Sequence, residues 1–482
     1  MFKLEKVLKE GARAGILTFD RKQRATPSYF MTSNFGGGAS DLYRIVTYVD
    51  LFEANPIPTL FNFYYLTIGG TFRVGWIDFI PEFADILEFF SFIRDKFFKA
   101  GFVRKNYPQR PTDWQPITLL DSGSGNILRD EIEKGKSSGE ILESLEKFIP
   151  QLHMFATKHR FNAMIAMDFA RKYTYKKGEH KDDIYKRLSG EFSQDLSSNL
   201  LLLKETLDIL KKEKTQYMVY APVRGQTPEQ FSFFTKKILE LEKKENVKFD
   251  GFALAGIADY RSKSNDIWNI PSGVSLGVKA GLIVSRVAKT VRQVLLEERD
   301  ERPIHGLGIG DVSNIVPLVA SGVDTFDCHS TWRRATDGNM ESAKFVFKPK
   351  SGTSFSKFLI PAIDSKGEII KENKKDLLEY RILPKVSDDI ICDCNICQKY
   401  SIREIKELYS LGGEDYYFAR MLIYAHAVFQ HDFLCSRLAR QIKNNESVWR
   451  LTDELPDCKL KTELLTILRI GDSHKTLSQF LQ

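Results

Sequence analysis

The stretch Val323-Asp324-Thr325-Phe326-Asp327-Cys328-His329 reads as a short buried strand that ends in a carboxylate. Val, Thr and Phe favour extended backbone, and Ser321-Gly322 ahead of them supplies a turn. An acidic side chain closing an apolar strand costs desolvation energy unless it is paired or used. Asp327 is therefore either a carboxylate satisfied by a neighbouring donor or a reacting group, and the rest of the chain has to decide between the two.

Seven more runs of the same kind lie upstream: Pro27 to Ser33, Thr59 to Leu66, Ile117 to Asp121, Ala163 to Asp168, Tyr217 to Val223, Gly251 to Gly256 and Ile304 to Gly310. Helical patterns fill most gaps. Leu196, Leu200, Leu203, Leu207 and Leu210 recur at spacings of four and three within Ile184 to Lys212, and Phe231 to Lys244 and Val278 to Glu298 follow suit. Alternating strands and helices argue for a parallel sheet, and eight rounds argue for closure. The expected fold is an α/β (β/α)8 TIM barrel with insertions and a zinc-binding helical C-terminal unit.

The expected organisation is a barrel over residues 1–345, a linker or hairpin over 346–390, and a zinc-binding helical region over 391–482. Residues 1–11 read as a lead-in and Gly15 to Phe19 as a hairpin arm. Residues 34–116 form an aromatic insertion (Phe89, Phe90, Phe92, Phe97, Phe98) that suits a helix face packed on the core better than a base-stacking platform. Residues 126–160 form a charged loop and helix after the third strand, placed to shape the mouth of the barrel.

With 482 residues, 43% hydrophobic, the chain can build one barrel-sized core plus a smaller unit. A net charge of +7 permits nucleic-acid binding without requiring it. The start lacks an apolar core with a cleavage site, and no run approaches membrane-spanning length, so neither a secretory signal nor a membrane is expected. Six cysteines are too few for a disulfide scaffold, and three crowd into Cys392, Cys394 and Cys397. That crowding suggests a metal in a reducing compartment, the cytoplasm.

Three thiolates within six residues plus a ligand from a later helix suit tetrahedral Zn2+. The helix Tyr416 to Asn444 offers two histidines. His426 follows the apolar Met421 to Ala425 and should point inward; His431 precedes Asp432 and should be more exposed. His426 is the expected fourth ligand. A site with four protein ligands has no open position, so its role is expected to be structural.

Asp121 and Asp168 end two other runs, and in a barrel both would share one mouth with Asp327. Two carboxylates flanking a sugar can run a double displacement, and a third can accept from purine N–H groups. Gly225, Gly251, Gly256, Gly306, Gly308 and Gly310 are expected to let a flat ring lie against backbone. Gly306-Leu307-Gly308-Ile309-Gly310 lacks the spacing of a phosphate loop.

Together these stretches resemble the tRNA-guanine transglycosylase family. Gly15-Ile16-Leu17-Thr18 with Thr26-Pro27 resembles its opening, and Leu120-Asp121-Ser122-Gly123 its Thr-Asp-Ser-Gly-Gly. Asp250 to Gly256 resembles its Gly-Phe-Ala-Leu-Gly-Gly, Phe326-Asp327-Cys328 its Phe-Asp-Cys, and the cysteine cluster with His426 its zinc site. The resemblance implies base exchange, with Asp327 as nucleophile and Asp121 as general acid/base. It also implies a base pocket of Asp168, Ser122, Asn126, Arg224, Gly225, Ala255, Gly256 and Leu307, and nucleic-acid contacts from Arg333 and Arg334.

The departures are as informative. Val223-Arg224-Gly225-Gln226 stands where the family has Val-Gln-Gly-Gly, Ala255 replaces a glycine, and Thr336 replaces an arginine that contacts the anticodon loop. The tail after His426 is shorter than the archaeal RNA-binding domains. Retained chemistry with altered polynucleotide reading is similar to the 7-deazaguanine-inserting DNA-guanine transglycosylases of the family. The expected partners are therefore DNA, the free base 7-cyano-7-deazaguanine and a strand-opening protein. The alternatives are action on tRNA, or a non-catalytic nucleic-acid-binding partner subunit; the latter would be expected to lack Asp327.

Overall fold

The computed structural model describes residues 1–19, 22–33, 57–67, 116–171, 181–258, 263, 265–331, 358–359, 362–370, 380–381, 391–411 and 413–479. Most of the aromatic insertion, Lys348 to Gly352, Lys371 to Lys375, and Trp332 to Thr336 with Arg333 and Arg334 lie outside them.

Eight parallel strands close into a barrel. They are β4 (Ser28–Ser33), β5 (Thr59–Asn62), β6 (Thr118–Asp121), β7 (Ala163–Ile165), β8 (Met218–Val223), β9 (Gly251–Leu254), β10 (Ile304–Gly306) and β11 (Thr325–Cys328). Each falls within one of the eight runs read from the sequence, and β11 closes the ring against β4 with Asp327 opposite Phe30. The runs overstate strand length, because strand residues and the apolar turns after them have the same composition. The run from Thr59 stops being a strand at Asn62 and continues as the helix Phe63–Thr67. β7 ends at Ile165, so Asp168 lies three residues beyond it on the connection.

Residues 2–7 are a strand, not a lead-in. This strand, β1 (Phe2–Val7), pairs with β2 (Arg13–Phe19), which pairs with β3 (Lys22–Thr26) in an antiparallel sheet. Alternate exposure along β1 marks it as a solvent-facing edge. The charged segment after β6 forms two helices, Ser124–Glu133 and Ser138–Lys158, the second opened by a reciprocal Ser137–Glu140 capping box. The helices Lys181–Lys212, Pro228–Glu245 and Leu276–Glu297 follow the leucine and valine spacings read from the sequence.

Inside the barrel, Phe30, Leu60, Leu119, Ala163, Ile165, Met218, Tyr220 and Ala253 form one buried cluster. Burying each large member contributes about 1.5–3 kcal/mol. Side chains alternate along a strand, so the residues two positions on face the same interior, one layer nearer the C-terminal mouth. Leu60 thus puts Asn62 there, Leu119 puts Asp121 there, and Thr325 puts Asp327 there.

β11 carries a second acid with a different fate. Asp324, just before the strand, is buried between Arg13 (Nε–Oδ1 2.8 Å) and Arg292 (Nη2–Oδ2 3.0 Å), and its Oδ2 also accepts from Ile304 N at 2.8 Å. It ties the N-terminal sheet and the helix Leu276–Glu297 to the start of the strand. Among the described residues no arginine or lysine pairs with Asp327.

The helix Gly413–Lys443 runs against β4. Tyr424 donates its hydroxyl to the Thr32 carbonyl at 2.9 Å, and Asp432 pairs with Arg24. His431 is buried, contrary to the sequence expectation: its ring lies 4.7 Å from that of Tyr29, and its Nδ1 is 2.7 Å from the Ala427 carbonyl. The adjacent Asp432 gave the wrong impression, because that carboxylate is spent on Arg24.

Candidate active site

Asp121, Asp168 and Asp327 meet at the C-terminal mouth. The Asp121 carboxyl is pushed up from its ordinary 3.8 to about 7, first by burial and then by the charges of Asp168 and Asp327. Asn62 Nδ2 donates to Asp121 Oδ2 at 2.7 Å, and the Gly123 N–H donates as well; both oppose the rise without cancelling it. Gly123 is required here: its φ is +69°, and a Cβ would stand 2.5 Å from Asn62 Oδ1. A carboxyl poised near neutrality can both give and take a proton.

Asp327 is buried at the end of β11. Its Oδ1 accepts from Gly308 N at 2.9 Å and lies 3.1 Å from His305 Nε2. Among the described residues no hydrogen bond reaches Oδ2, so Oδ1 is the anchored carboxylate oxygen.

Asp168 is buried and doubly engaged. Ser124 donates its hydroxyl to Oδ1, and Arg224 Nη1 donates to Oδ2 at 2.6 Å. The Arg224 side chain lies over Gly256, whose φ is +74° and whose hypothetical Cβ would stand 2.9 Å from Nη2. Gly256 thus leaves room for the Arg224 guanidinium on the wall where a flat ring was expected to lie. At Gly225 the same space is taken by Phe231 and Gln230, at Gly251 by Tyr220, at Gly306 by Ile309 and at Gly310 by Phe326; Gly308 has only the Ala258 Cβ nearby. These glycines chiefly admit protein side chains.

Of the other residues expected around a base, Ser122 is buried with no hydrogen-bond partner for its hydroxyl among the described residues. Asn126 is half-buried in the first turn of the helix Ser124–Glu133. Ala255 is buried, its N–H held by the Val223 carbonyl at 3.0 Å, and half-buried Leu307 bonds the Leu254 carbonyl at 3.1 Å. Sequence reading missed Asn62, Ser124, Lys263 and His305. Lys263 is buried and donates to Gln226 Oε1 at 2.7 Å and the Gly256 carbonyl at 3.3 Å, bracing the wall under Arg224. The signals were available for two of these: Asn62 is a polar strand end like Asp121, and His305 is a lone polar side chain inside an apolar and glycine run.

Cys392, Cys394, Cys397 and His426 lie together beside the helix Gly413–Lys443, with their ligand atoms all within 4.8 Å of one another. His426 Nδ1 is 3.7, 3.4 and 3.4 Å from the three sulfurs in turn. Tetrahedral bonds of about 2.3 Å to sulfur and about 2.0–2.1 Å to nitrogen place those atoms about 3.6 Å apart, so the group fits a metal ion. Gln430 Nε2 donates to the Cys392 sulfur at 3.3 Å and the Cys397 N–H to the Cys394 sulfur at 3.4 Å, contacts that support thiolates.

Comparison with known proteins agrees with this geometry. The family model described as queuine tRNA-ribosyltransferase matches residues 110–455. A queuine tRNA-ribosyltransferase of Psychromonas ingrahamii is 21% identical over 343 residues, covering 70% of this chain and 73% of that protein. A putative queuine tRNA-ribosyltransferase of Archaeoglobus fulgidus is 28% identical over 146 residues, 30% of each chain. No described helix is long and apolar enough to cross a membrane. The chain belongs to the queuine tRNA-ribosyltransferase family and is a pentosyltransferase of the guanine-transglycosylase type.

Proposed function

We propose that this transglycosylase exchanges guanine in DNA for a 7-deazaguanine, 7-cyano-7-deazaguanine, through a covalent enzyme–sugar intermediate. The observation that carries the chemistry is the grouping of Asp121, held near neutrality, with Asp168 and Asp327 at one barrel mouth. The flipped deoxyguanosine presents C1′ to Oδ2 of Asp327. The C1′–N9 bond breaks as the Asp327 ester forms, and Asp121 gives its proton to the departing guanine. The incoming base loses its N9 proton to the Asp121 carboxylate, its N9 attacks C1′, and the ester opens. Two inversions retain the configuration at the sugar.

The DNA reading rests on Arg224, which stands where the tRNA-acting family has an amide and which reaches Asp168 in the pocket. Asp168 and Arg224 together would offer acceptor and donor groups to a purine edge. The names of the relatives favour tRNA as the second reading. A Zn2+ held by Cys392, Cys394, Cys397 and His426 would be structural, and thiolates kept for metal suit the cytoplasm. Purified protein incubated with duplex DNA, single-stranded DNA or tRNA carrying labelled guanine, plus the deazapurine, tests the assignment. Label is expected to leave DNA; release from tRNA alone would refute the DNA reading.

A further inference from the structure

His305 lies on β10, one strand from Asp327, with its ring buried between Phe30 (centroids 5.7 Å apart) and Tyr220 (6.3 Å). It caps the apolar layer of the barrel and forms the floor beneath the nucleophile. Its Nδ1 is 2.9 Å from Thr325 Oγ1, and its Nε2 is 3.1 Å from Asp327 Oδ1. When the Thr325 hydroxyl donates to Nδ1, the ring hydrogen sits on Nε2 and points at the carboxylate; the other tautomer would set a lone pair against an anionic oxygen. A buried imidazole joined at both nitrogens is more than packing material, since a phenyl ring would fill the same apolar slot.

We infer that His305 is a positioning residue for Asp327, acting with the Gly308 N–H as a two-donor cradle for Oδ1, so that Oδ2 makes the sugar ester. This rests on the base-exchange reading above. While the ester exists, Oδ1 is its carbonyl oxygen. When the incoming base displaces the ester, the C1′–Oδ2 bond breaks, its electron pair returns to the carboxylate, and charge builds on Oδ1 where both donors already point. Such preorganised donors stabilise developing charge without reorganisation, and losing one typically costs about 10²–10³ in turnover. The effect falls on turnover, because His305 reaches the nucleophile and not the base wall at Arg224 and Gly256.

The test compares wild type, His305→Phe, His305→Gln and Asp327→Ala on the polynucleotide the wild type accepts, measuring kcat, KM for the free base, and trapped covalent adduct. His305→Phe should lower kcat about 100-fold with KM within about threefold, and the adduct should persist longer after free base is added. His305→Gln, which keeps a donor near Nε2, should recover at least tenfold of that loss. If both variants fold, as judged by melting, and either His305→Phe keeps wild-type kcat or His305→Gln recovers nothing, the inference is wrong. If Asp327→Ala still forms adduct, or the wild type forms none on any polynucleotide, the base-exchange reading fails and takes this inference with it.

Discussion

Replacing Asp121 with Asn separates the charge of this carboxyl from its shape. In the native protein its pKa stands at about 7 against an ordinary 3.8, through burial and the charges of Asp168 and Asp327. At about 1.36 kcal/mol for each tenfold, that gap penalises the ionised form by at most about 4 kcal/mol, and by about half that once partial exposure is allowed for. Between pH 4 and 7 the native state holds a proton that the unfolded chain has released, so stability falls as pH rises through this window. Asp121→Asn removes the penalty. Denaturant melts should therefore show little difference from wild type at pH 4 and a variant more stable by about 1–2 kcal/mol at pH 8. In guanine release, wild-type kcat/KM should fall tenfold per pH unit above about 7 as the acid is lost, while the variant should be slower by about 10²–10⁴ and lack that limb. A variant whose stability gain over wild type is no larger at pH 8 than at pH 4, with the alkaline limb intact, would refute the assignment of this proton to Asp121.

Other perturbations probe the parts that hold the mouth in place. Arg224→Gln removes a charge-assisted bond of 2.6 Å to Asp168, and at about 1.5–3 kcal/mol for such bonds KM for the free base should rise at least tenfold with kcat changed less; unchanged KM would remove Arg224 from the pocket. Chelation of the as-purified protein, or Cys394→Ser, should lower the melting temperature and release about one equivalent of zinc by elemental analysis; a metal-free preparation of full stability would contradict the metal site. Asp324→Asn strips charge from between Arg13 and Arg292 and should cost about 3–5 kcal/mol in urea melts; a loss below about 1 kcal/mol would show that the pair does not hold β11.

Barrel closure was legible because strands buried on both faces leave nearly continuous apolar runs, and eight such runs separated by helical spacings admit few other topologies. The carboxylates were legible for the same reason, since Asp121 and Asp327 interrupt those runs. What the sequence concealed was pairing. Nothing in Val323 to His329 says that Asp324 faces two arginines from far along the chain while Asp327 faces a histidine on the next strand. The surroundings of Gly256 were hidden likewise, because the side chain over it, Arg224, comes from another strand end. His431 misled because the polar Asp432 beside it is turned to Arg24. Local composition reports burial well and partners poorly.

The central claim is that Asp327 becomes bonded to a sugar. Its most direct test is to quench the protein in acid during turnover on guanine-containing DNA, digest it, and locate the added mass by peptide mass spectrometry. The account predicts a deoxyribosyl adduct on the peptide bearing Asp327, absent in Asp327→Ala and discharged by free deazaguanine. An adduct on another residue, or base exchange persisting in Asp327→Ala, would contradict it.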